Sequence, residues 1–330
     1  MKFGKVTENV YDRSVRRPVR TIDKDTILSA DPGGNCAVFA SKAPTPGESG
    51  SEVLISIPMT FTGAQSAQSR FLIYHVIDEL VAAGAKPIGV GGTFLFPADT
   101  KEAELKKEVE ILTRSCKETG LEIYGIRAEV SSAVNCVVLT LSGYGTRDPK
   151  NSSRVKPKPG YDLLVTGWCA IEGTMLLAER EAEKLSERFP VRMLDQIRNW
   201  EGFLDIRSEA AVAGLSDCCI YPLLEGGIFG GLWEMAEQAG VGLDVDLRRI
   251  PLRQETIEIC NYLDVNPYEL LSGGSLLIAA KSGESVKQSL KEKGIGSVLI
   301  GKLSDSNDRL IHNGEDTRYL EPRKPDQIYG

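Results

Sequence analysis

Three glycine-rich turns are the first candidates for chemistry in this 330-residue sequence. They are GVGG (89–92), EGGIFGG (225–231) and SGGS (272–275). The second stands at the predicted start of a helix, where free backbone N–H groups favour an anion. Glycines at a helix start also let two segments pack closely, which is their commoner use. The sequence leaves both interpretations of 225–231 open, and it contains no GxxxxGK[ST] phosphate loop.

The titratable side chains form no recognisable catalytic pattern. His75 lies in a helical apolar stretch and is predicted to be a core or interface residue, whereas His312 lies in a polar turn and is predicted to face solvent. Asp78 and Glu79 are adjacent in a predicted helix, and adjacent helical carboxylates do not share a face as an acid/base pair would. No local Ser/His/Asp or Cys/His arrangement indicates a nucleophile.

Seven cysteines are scattered through apolar stretches, at positions 36, 116, 136, 169, 218, 219 and 260. Their number is odd, there is no CxxC and there are only two histidines, so the ligand spacing of a zinc or iron–sulfur site is missing. We expect buried, reduced thiols, as in a cytoplasmic protein.

The charge balance excludes two classes of partner. Lys plus Arg number 39 and Asp plus Glu number 46, which gives a net charge of -7. Nucleic acids and anionic membranes both require a basic face, so neither is expected as a partner. The sequence contains no 18-residue apolar window, and its first residues lack the apolar region of a secretory signal. We therefore predict a cytoplasmic location.

Hydrophobic spacing predicts alternating strands and helices in the first half of the chain. The best-marked element is a helix that Asp99 caps, with Glu102 three residues on, an apolar stripe at Leu105, Val109, Leu112 and Cys116, and Gly120 at its end. The other predicted elements are a helix over 68–83 and strands over 52–60, 86–96, 121–128 and 135–144.

A second mixed region follows a linker. The stretch 147–160 (RDPKNSSRVKPKPG) contains three prolines, several basic residues and almost nothing apolar, which predicts a linker over 149–160 between domains at 1–148 and 161–330. Strands are predicted at 162–168, 216–220, 242–247, 275–280 and 297–303, and helices at 174–189, 254–263 and 284–293. A further helix is predicted within GGIFGGLWEMAEQAG (226–240), which Gly240 ends. Each half therefore mixes strands and helices in an α+β or α/β manner.

Four blocks resemble the family of aminoimidazole ribonucleotide (AIR) synthetase-related proteins. They are DELVAAGAKP (78–87), GIRAEV (125–130), EGGIFGGLWEMAEQAGVG (225–242) and LLSGGSLLIA (270–279), in the family's order. A fifth block, GWCAIEGTMLLA (167–178), is similar to the hydrogenase-maturation branch. The resemblance implies a two-domain fold, with an N-terminal domain that forms a dimeric barrel-like core and a C-terminal α+β sandwich.

The resemblance also implies a site for ATP and Mg²⁺ in a cleft between the domains. The positions that match the family's site are Asp78, Glu79, Gly125, Arg127, Glu129, Glu225, Gly226 and Gly227. Of these, Asp78 and Glu79, together with Asn35, occupy positions that hold metal ligands in the family. Family chemistry is ATP-dependent phosphoryl transfer to an amide-type or similar small acceptor, and magnesium requires hard oxygen ligands for it.

The sequence departs from the family at the metal positions. Asn35 stands where a carboxylate belongs, and Pro58 and Pro222 stand where two further aspartates belong. Ile126, Arg127 and Ala128 replace the family's Gly-His-Thr, although Glu129 remains. The hydrogenase factor ends in a reactive cysteine whereas this sequence ends in DQIYG, so we expect no carbamoyl transfer through a terminal thiol.

Two functions remain open. The first is a dimeric protein with weak or lost Mg-ATP turnover, which binds a small molecule or acts as a partner of an active paralogue. The second is an active ATP-dependent enzyme with a rebuilt site in which Asp78, Glu79, Glu129 and Glu225 are the acids. A structural protein unrelated to nucleotides is a third, minor possibility.

Overall fold

The computed structural model describes residues 26–28, 36–40, 52–56, 58–63, 69–148, 156–216 and 218–329. The chain divides into two compact units, with the first within Thr21–Ser153 and the second from Arg154 onward. Within the described residues, no helix combines the length and the apolar character needed to cross a bilayer.

One seven-stranded sheet organises the described part of the first unit, in the order β1-β2-β3-β7-β5-β6 with β4 also paired to β7. Neighbouring strands are antiparallel except β5 and β6. The strands are β1 Thr26–Leu28, β2 Cys36–Ala40, β3 Glu52–Ser56, β4 Met59–Gly63, β5 Lys86–Phe96, β6 Glu122–Val130 and β7 Val137–Arg147, and the helices are α1 Ser69–Ala82 and α2 Glu102–Thr119. The expected strand over 52–60 is thus two strands, β3 and β4.

Helix α1 packs directly against β7 and closes the first core. The buried residues of this core include Phe94 from β5, Leu139 and Leu141 from β7, and Ile77 from α1. Gly143 makes the close approach possible, because a Cβ there would lie 2.1 Å from Val76 Cγ1. One face of the sheet is therefore covered by helices, which matches the buried–intermediate alternation along β7.

The start of helix α2 differs from the prediction, whereas its end agrees. The N-cap is Lys101 rather than Asp99, and its backbone N–H donates to Glu104 Oε2 at 2.9 Å. Asp99 and Glu102 have the same three-residue spacing as Lys101 and Glu104, but they lie two positions earlier in the chain. Gly120 ends the helix in the left-handed conformation with φ 74°, as expected.

A second seven-stranded sheet forms the described part of the second unit, in the order β14-β13-β10-β12-β8-β11-β9. Its strands are β8 Asp162–Thr166, β9 Cys218–Pro222, β10 Gly242–Asp246, β11 Leu276–Ala280, β12 Ser297–Ser304, β13 Arg309–Asn313 and β14 Asp316–Tyr319. Its helices are α3 Ile171–Arg180, α4 Ala182–Ser186, α5 Val191–Arg198, α6 Arg207–Ala213, α7 Gly227–Ala239, α8 Gln254–Leu263 and α9 Gly283–Glu292. Only β10 and β13 pair in parallel.

The predicted helix over 174–189 is wrong in both bounds. Helix α3 begins at Ile171, ends at Arg180 and is followed by the short helix α4. Residues 171–178 are all buried. A helix that is covered on every side has no polar face, so its sequence shows no 3.6-residue periodicity from which to place its start.

Arg147, which precedes the predicted linker over 149–160, is the last residue of β7 and is buried. One further expectation needs correction. His312 lies on β13 rather than in a turn; its Nδ1 is 2.9 Å from Thr317 Oγ1 and its Nε2 is 3.1 Å from Asp244 Oδ2. The hairpin of β13 and β14 had no counterpart among the predicted elements.

Candidate functional site

Two of the candidate acids lie inside the first unit. Asp78 and Glu79 are on α1, with 0% and 5% of their surfaces exposed. The backbone carbonyl of Glu79 accepts a long hydrogen bond of 3.6 Å from Cys36 Sγ. Asn35, the third position matched to metal ligands, lies outside the described residues.

The candidates on β6 lie at an exposed edge. Gly125, Arg127 and Glu129 belong to this strand, which is the last in the order of its sheet. Arg127 and Glu129 are two residues apart and therefore project from the same face. Their side chains form an ion pair and are 74% and 43% exposed. The guanidinium of Arg127 is thus accessible, with a neighbouring acid that partly offsets its charge.

In the second unit, the two glycines at the start of α7, the N-cap Gly226 and the first helical residue Gly227, have different roles. A Cβ on Gly227 would lie 2.6 Å from the Leu270 carbonyl oxygen, so this glycine serves packing. Gly226 has φ 80°, and its backbone N–H donates to Asp326 Oδ2 at 2.6 Å. The structure therefore supports both interpretations of the glycine cluster. Gly227 allows close packing, and the N–H of Gly226 binds an anionic group, which is the carboxylate of Asp326 in the same chain.

Asp326 is a residue that sequence reasoning missed. It is 4% exposed. Its carboxylate accepts three backbone N–H bonds, from Gly226 at 2.6 Å, Leu271 at 3.2 Å and Ile328 at 2.8 Å. Burial raises the pKa of Asp326 to about 6, against the lowering effect of these bonds, and the charge of Glu225 raises it further.

A network of charged and phenolic groups surrounds this carboxylate. Arg323 pairs with Glu234, and its Nη2 is 3.4 Å from Glu225 Oε2. Tyr221 donates to Glu234, and the Tyr329 hydroxyl donates to Glu225 Oε1 at 2.8 Å. Burial lowers the pKa of Arg323, but the two glutamates outweigh it, so the pKa is raised and the guanidinium stays charged. Glu225, a predicted site residue, is thus bound from two sides.

No local sequence signal could have revealed this network. Gly226 and Asp326 are 100 residues apart, and Glu225 and Arg323 are 98 apart. The structure groups Glu225, Gly226 and Gly227 with the residues that follow β14, and it groups Arg127 with Glu129. The first of these clusters belongs to the second unit and the other to the first unit.

The two prolines that stand where the resemblance placed aspartates offer no side-chain oxygen ligands. Pro58 is exposed and directly precedes β4. Pro222 is buried at the end of β9, paired with Leu276; this strand ends its sheet, where a missing N–H is tolerated. Among the described residues, no three or more His, Cys, Asp or Glu side chains are grouped so that they could hold a metal ion.

All seven cysteines are free, as expected. Burial raises the pKa of Cys116, Cys169 and Cys260 to about 12 in each case. Such thiols are poor nucleophiles near neutral pH, because the thiolate is the reactive form.

The second unit matches a known domain family, and most of the chain is similar to curated proteins. Residues 223–313 match the model of the AIR synthase related protein, C-terminal domain. The chain is 24% identical to carbamoyl dehydratase HypE of Rhodobacter capsulatus over 262 residues, which is 74% of this chain and 72% of the relative. It is 22% identical to the putative hydrogenase expression/formation protein MJ0676 of Methanocaldococcus jannaschii over 259 residues, 77% of this chain and 75% of the relative.

Solved structures share the fold at low identity. HypE in the HypE–HypF complex aligns with TM-score 0.67, 18% identity and coverage of 82% of this chain and 90% of that chain. HypE in complex with ATP aligns with TM-score 0.63, 16% identity and coverage of 88% and 89%. AaThiL complexed with AMPPCP and TMP aligns with TM-score 0.69, 12% identity and coverage of 96% and 97%. The expected resemblance and the mixed α/β fold class are confirmed.

Proposed function

We propose that this chain, which carries an AIR synthase related C-terminal domain and has the fold of HypE, is a HypE-like protein with weak or no Mg-ATP turnover. In this proposal it is a dimeric binding protein, or the partner of an active paralogue. ATP is the expected nucleotide, because structures with this fold hold ATP or the ATP analogue AMPPCP.

The observation that carries the proposal is the side-chain chemistry at Pro58 and Pro222. The family resemblance places aspartates at both positions, and neither proline has a side-chain oxygen. A phosphoryl transition state needs metal ions and their ligands to neutralise its charge. Each 1.36 kcal/mol lost from that stabilisation slows the reaction about tenfold. Two missing ligands therefore favour slow turnover or none.

The alternative is an active enzyme with a rebuilt site. Asp78 and Glu79 are buried on α1, and Glu129 is accessible beside Arg127. These acids are available in the first unit as replacement ligands, and Arg127 has the planar fork that binds phosphate oxygens. This alternative predicts that turnover depends on these side chains.

Titration calorimetry of ATP with and without Mg²⁺, beside a phosphate-release assay, separates the two functions. We expect binding that depends little on Mg²⁺ and phosphate release close to the buffer background. Steady Mg-dependent turnover that Glu79→Gln or Glu129→Gln abolishes would favour the rebuilt enzyme. Glu110→Gln is the matched control, because Glu110 is an exposed acid on α2 of the same unit. A chain that binds no ATP under either condition would contradict the rebuilt enzyme and ATP as the ligand, and would leave only a partner role or the binding of another small molecule.

The dimer is proposed to form through the first unit. The face of β7 turned away from the helices carries half-exposed residues. Strand β6 of the same sheet, on the far side of β5, exposes Tyr124 at 59% and Val130 at 57%. Tyr124 and Tyr144 of β7 are in edge contact, with 5.5 Å between ring centroids. Exposed aromatic and aliphatic side chains of this kind favour association.

Light scattering after size-exclusion chromatography tests this dimer. We expect the mass of two chains at micromolar concentration, and of one chain for Tyr124→Glu. The control is Tyr319→Glu, which changes an equally exposed tyrosine of the second unit. A wild-type protein with the mass of one chain would rule out the homodimer and leave a different protein, such as a paralogue, as the proposed partner. The structural relative HypE does form a complex with another protein, HypF.

A further inference from the structure

The C-terminal segment, residues Glu321–Tyr329, is held to the second unit by a set of hydrogen bonds and ion pairs. Leu320 is the last buried apolar residue, and Asp326 is the only fully buried residue after it among those described. Segments with few buried apolar contacts open at low free energy compared with the rest of a fold. The docking of this segment therefore depends on its hydrogen bonds and charges.

Asp326 fastens the segment to two separate parts of the unit. Its Oδ2 accepts from the N–H of Gly226, before α7, and its Oδ1 accepts from the N–H of Leu271, before β11. Ile328 of the same segment donates to Oδ1 as well. The carboxyl group thus replaces water at two backbone donors that would otherwise need another partner.

The surface beneath the segment is shaped to receive it. A Cβ on Gly226 would lie 3.0 Å from Arg323 Nε, and one on Gly230 would lie 3.8 Å from Arg323 Cδ. Arg323 therefore lies along a strip of α7 and its preceding turn that carries no side chains. From this position it reaches Glu225 and Glu234.

Further contacts hold the middle and the C-terminal part of the segment. Lys324 Nζ is 3.7 Å from Glu269 Oε1, and Gln327 Nε2 donates to Glu269 Oε2 at 3.1 Å. Arg180 of α3 donates to the carbonyl of Ile328.

The titratable groups around Asp326 are Tyr221 of β9, Glu225 before α7, Glu234 of α7, Glu269 before β11, Arg180 of α3, and Glu321, Arg323, Lys324 and Tyr329 of the segment itself.

We propose that the C-terminal segment is a pH-sensitive latch on the second unit, tightest when the Asp326 carboxyl is protonated and weaker once it ionises. The geometry gives the reason. Docking buries this carboxyl group beside Glu225, whose negative charge repels a second one. Burial and this repulsion outweigh the three backbone N–H bonds and the nearby Arg323, which favour the carboxylate. Release returns the group to water, where ionisation is unopposed. A latch of this kind controls access to the N–H of Gly226 and to the carboxylate of Glu225.

The direction and size of the pH effect follow from linkage. The pKa of Asp326 is raised from 3.8 to about 6 when docked. A group with a raised pKa stabilises the docked state below its free pKa, and the stabilisation is lost as pH rises through the docked pKa. The docking constant is therefore expected to fall about tenfold from about pH 5 to about pH 7.5.

Hydrogen–deuterium exchange of the full chain, without nucleotide, tests the latch. Protection of the amides of Gly226, Leu271 and the segment, corrected for intrinsic exchange, should fall about tenfold over that pH range. Amides of the buried strand β11 should change little, which separates local release from global unfolding. Asp326→Asn should remove the pH dependence, whereas Asp316→Asn, an exposed change on β14, should retain it.

A flat or reversed profile in the wild-type protein would overturn the latch, as would an unchanged profile in Asp326→Asn. Asp326→Ala provides a second check, because it removes the acceptor and should leave the segment weakly protected at every pH. None of these measurements requires ATP, so the result is independent of the proposed nucleotide function.

Discussion

Arg147 at the end of β7 holds Glu52 at the start of β3 in a buried ion pair, with Nη2 2.6 Å from Oε2. The two residues are also direct partners in the strand register. The Nη1 of Arg147 donates to the carbonyl of Ala83, just after α1, at 2.6 Å. One guanidinium therefore joins two strands and a helix end of the first unit.

Replacement of this arginine should destabilise the first unit strongly. Arg147→Met leaves Glu52 buried without its cation, and breaking a buried pair in this way costs about 3–5 kcal/mol. Urea denaturation followed by circular dichroism is the suitable measurement, because all three tryptophans belong to the second unit. Arg198→Met, which removes an exposed ion pair with Asp195, should cost about 1 kcal/mol or less. Equal losses in the two variants would contradict the structural role of Arg147.

Arg127 should affect anion binding without affecting stability. Its side chain is 74% exposed and pairs with Glu129 on the same strand, and such a surface pair contributes about 1 kcal/mol at most. Arg127→Gln is therefore expected to leave the urea midpoint almost unchanged while it weakens ATP binding in calorimetry. Arg127→Lys should restore only part of the affinity, because an ammonium group lacks the planar fork. Unchanged affinity in Arg127→Gln would remove this residue from the nucleotide site.

The pair of Asp205 and Arg207 should contribute stability that disappears in acid. Arg207 Nη2 is 2.6 Å from Asp205 Oδ2. Burial raises the pKa of Asp205, but the hydrogen bonds and charge of Arg207 outweigh it and leave the pKa below its ordinary value of 3.8. A lowered pKa stabilises the fold above the unfolded-state pKa, and that contribution is lost as pH falls through the folded one.

The expected result is a difference in unfolding free energy between wild type and Arg207→Met that is present near neutral pH and vanishes in acid. Tryptophan fluorescence reports it, since Trp200 lies in the same unit. Arg192→Met, a change at an exposed position on α5, serves as the control and should show no such pH dependence. A difference that persists unchanged in acid would contradict the role of the pair.

The cysteines should differ in reactivity according to burial. A chromogenic thiol reagent should detect all seven in denatured protein, because all are free. In native protein, we expect the half-buried Cys136 and Cys219 to react first. Cys116, Cys169 and Cys260 should remain unreactive, because burial raises their pKa to about 12. Rapid native reaction of all seven would show that these cores open easily.

Elements with a strong local signal were predictable from the sequence. The bounds of strand Lys86–Phe96 and helix Gln254–Leu263 agree with the prediction, and Gly120 ends α2 as expected. These segments carry their own periodicity, turn residues or caps, so neighbours in the chain suffice to define them. The family resemblance rests on blocks of the same local kind.

The sequence by itself determined the mixed fold class, the free thiols and the missing ligand chemistry of Pro58 and Pro222, because each follows from residue type or short-range spacing. Only the tertiary structure decided that Asp326 binds the N–H of Gly226, that Arg147 is buried in an ion pair with Glu52, and that α3 begins at Ile171. These features depend on contacts between residues far apart in the chain, or on complete burial, which erases the polar face that a sequence pattern requires.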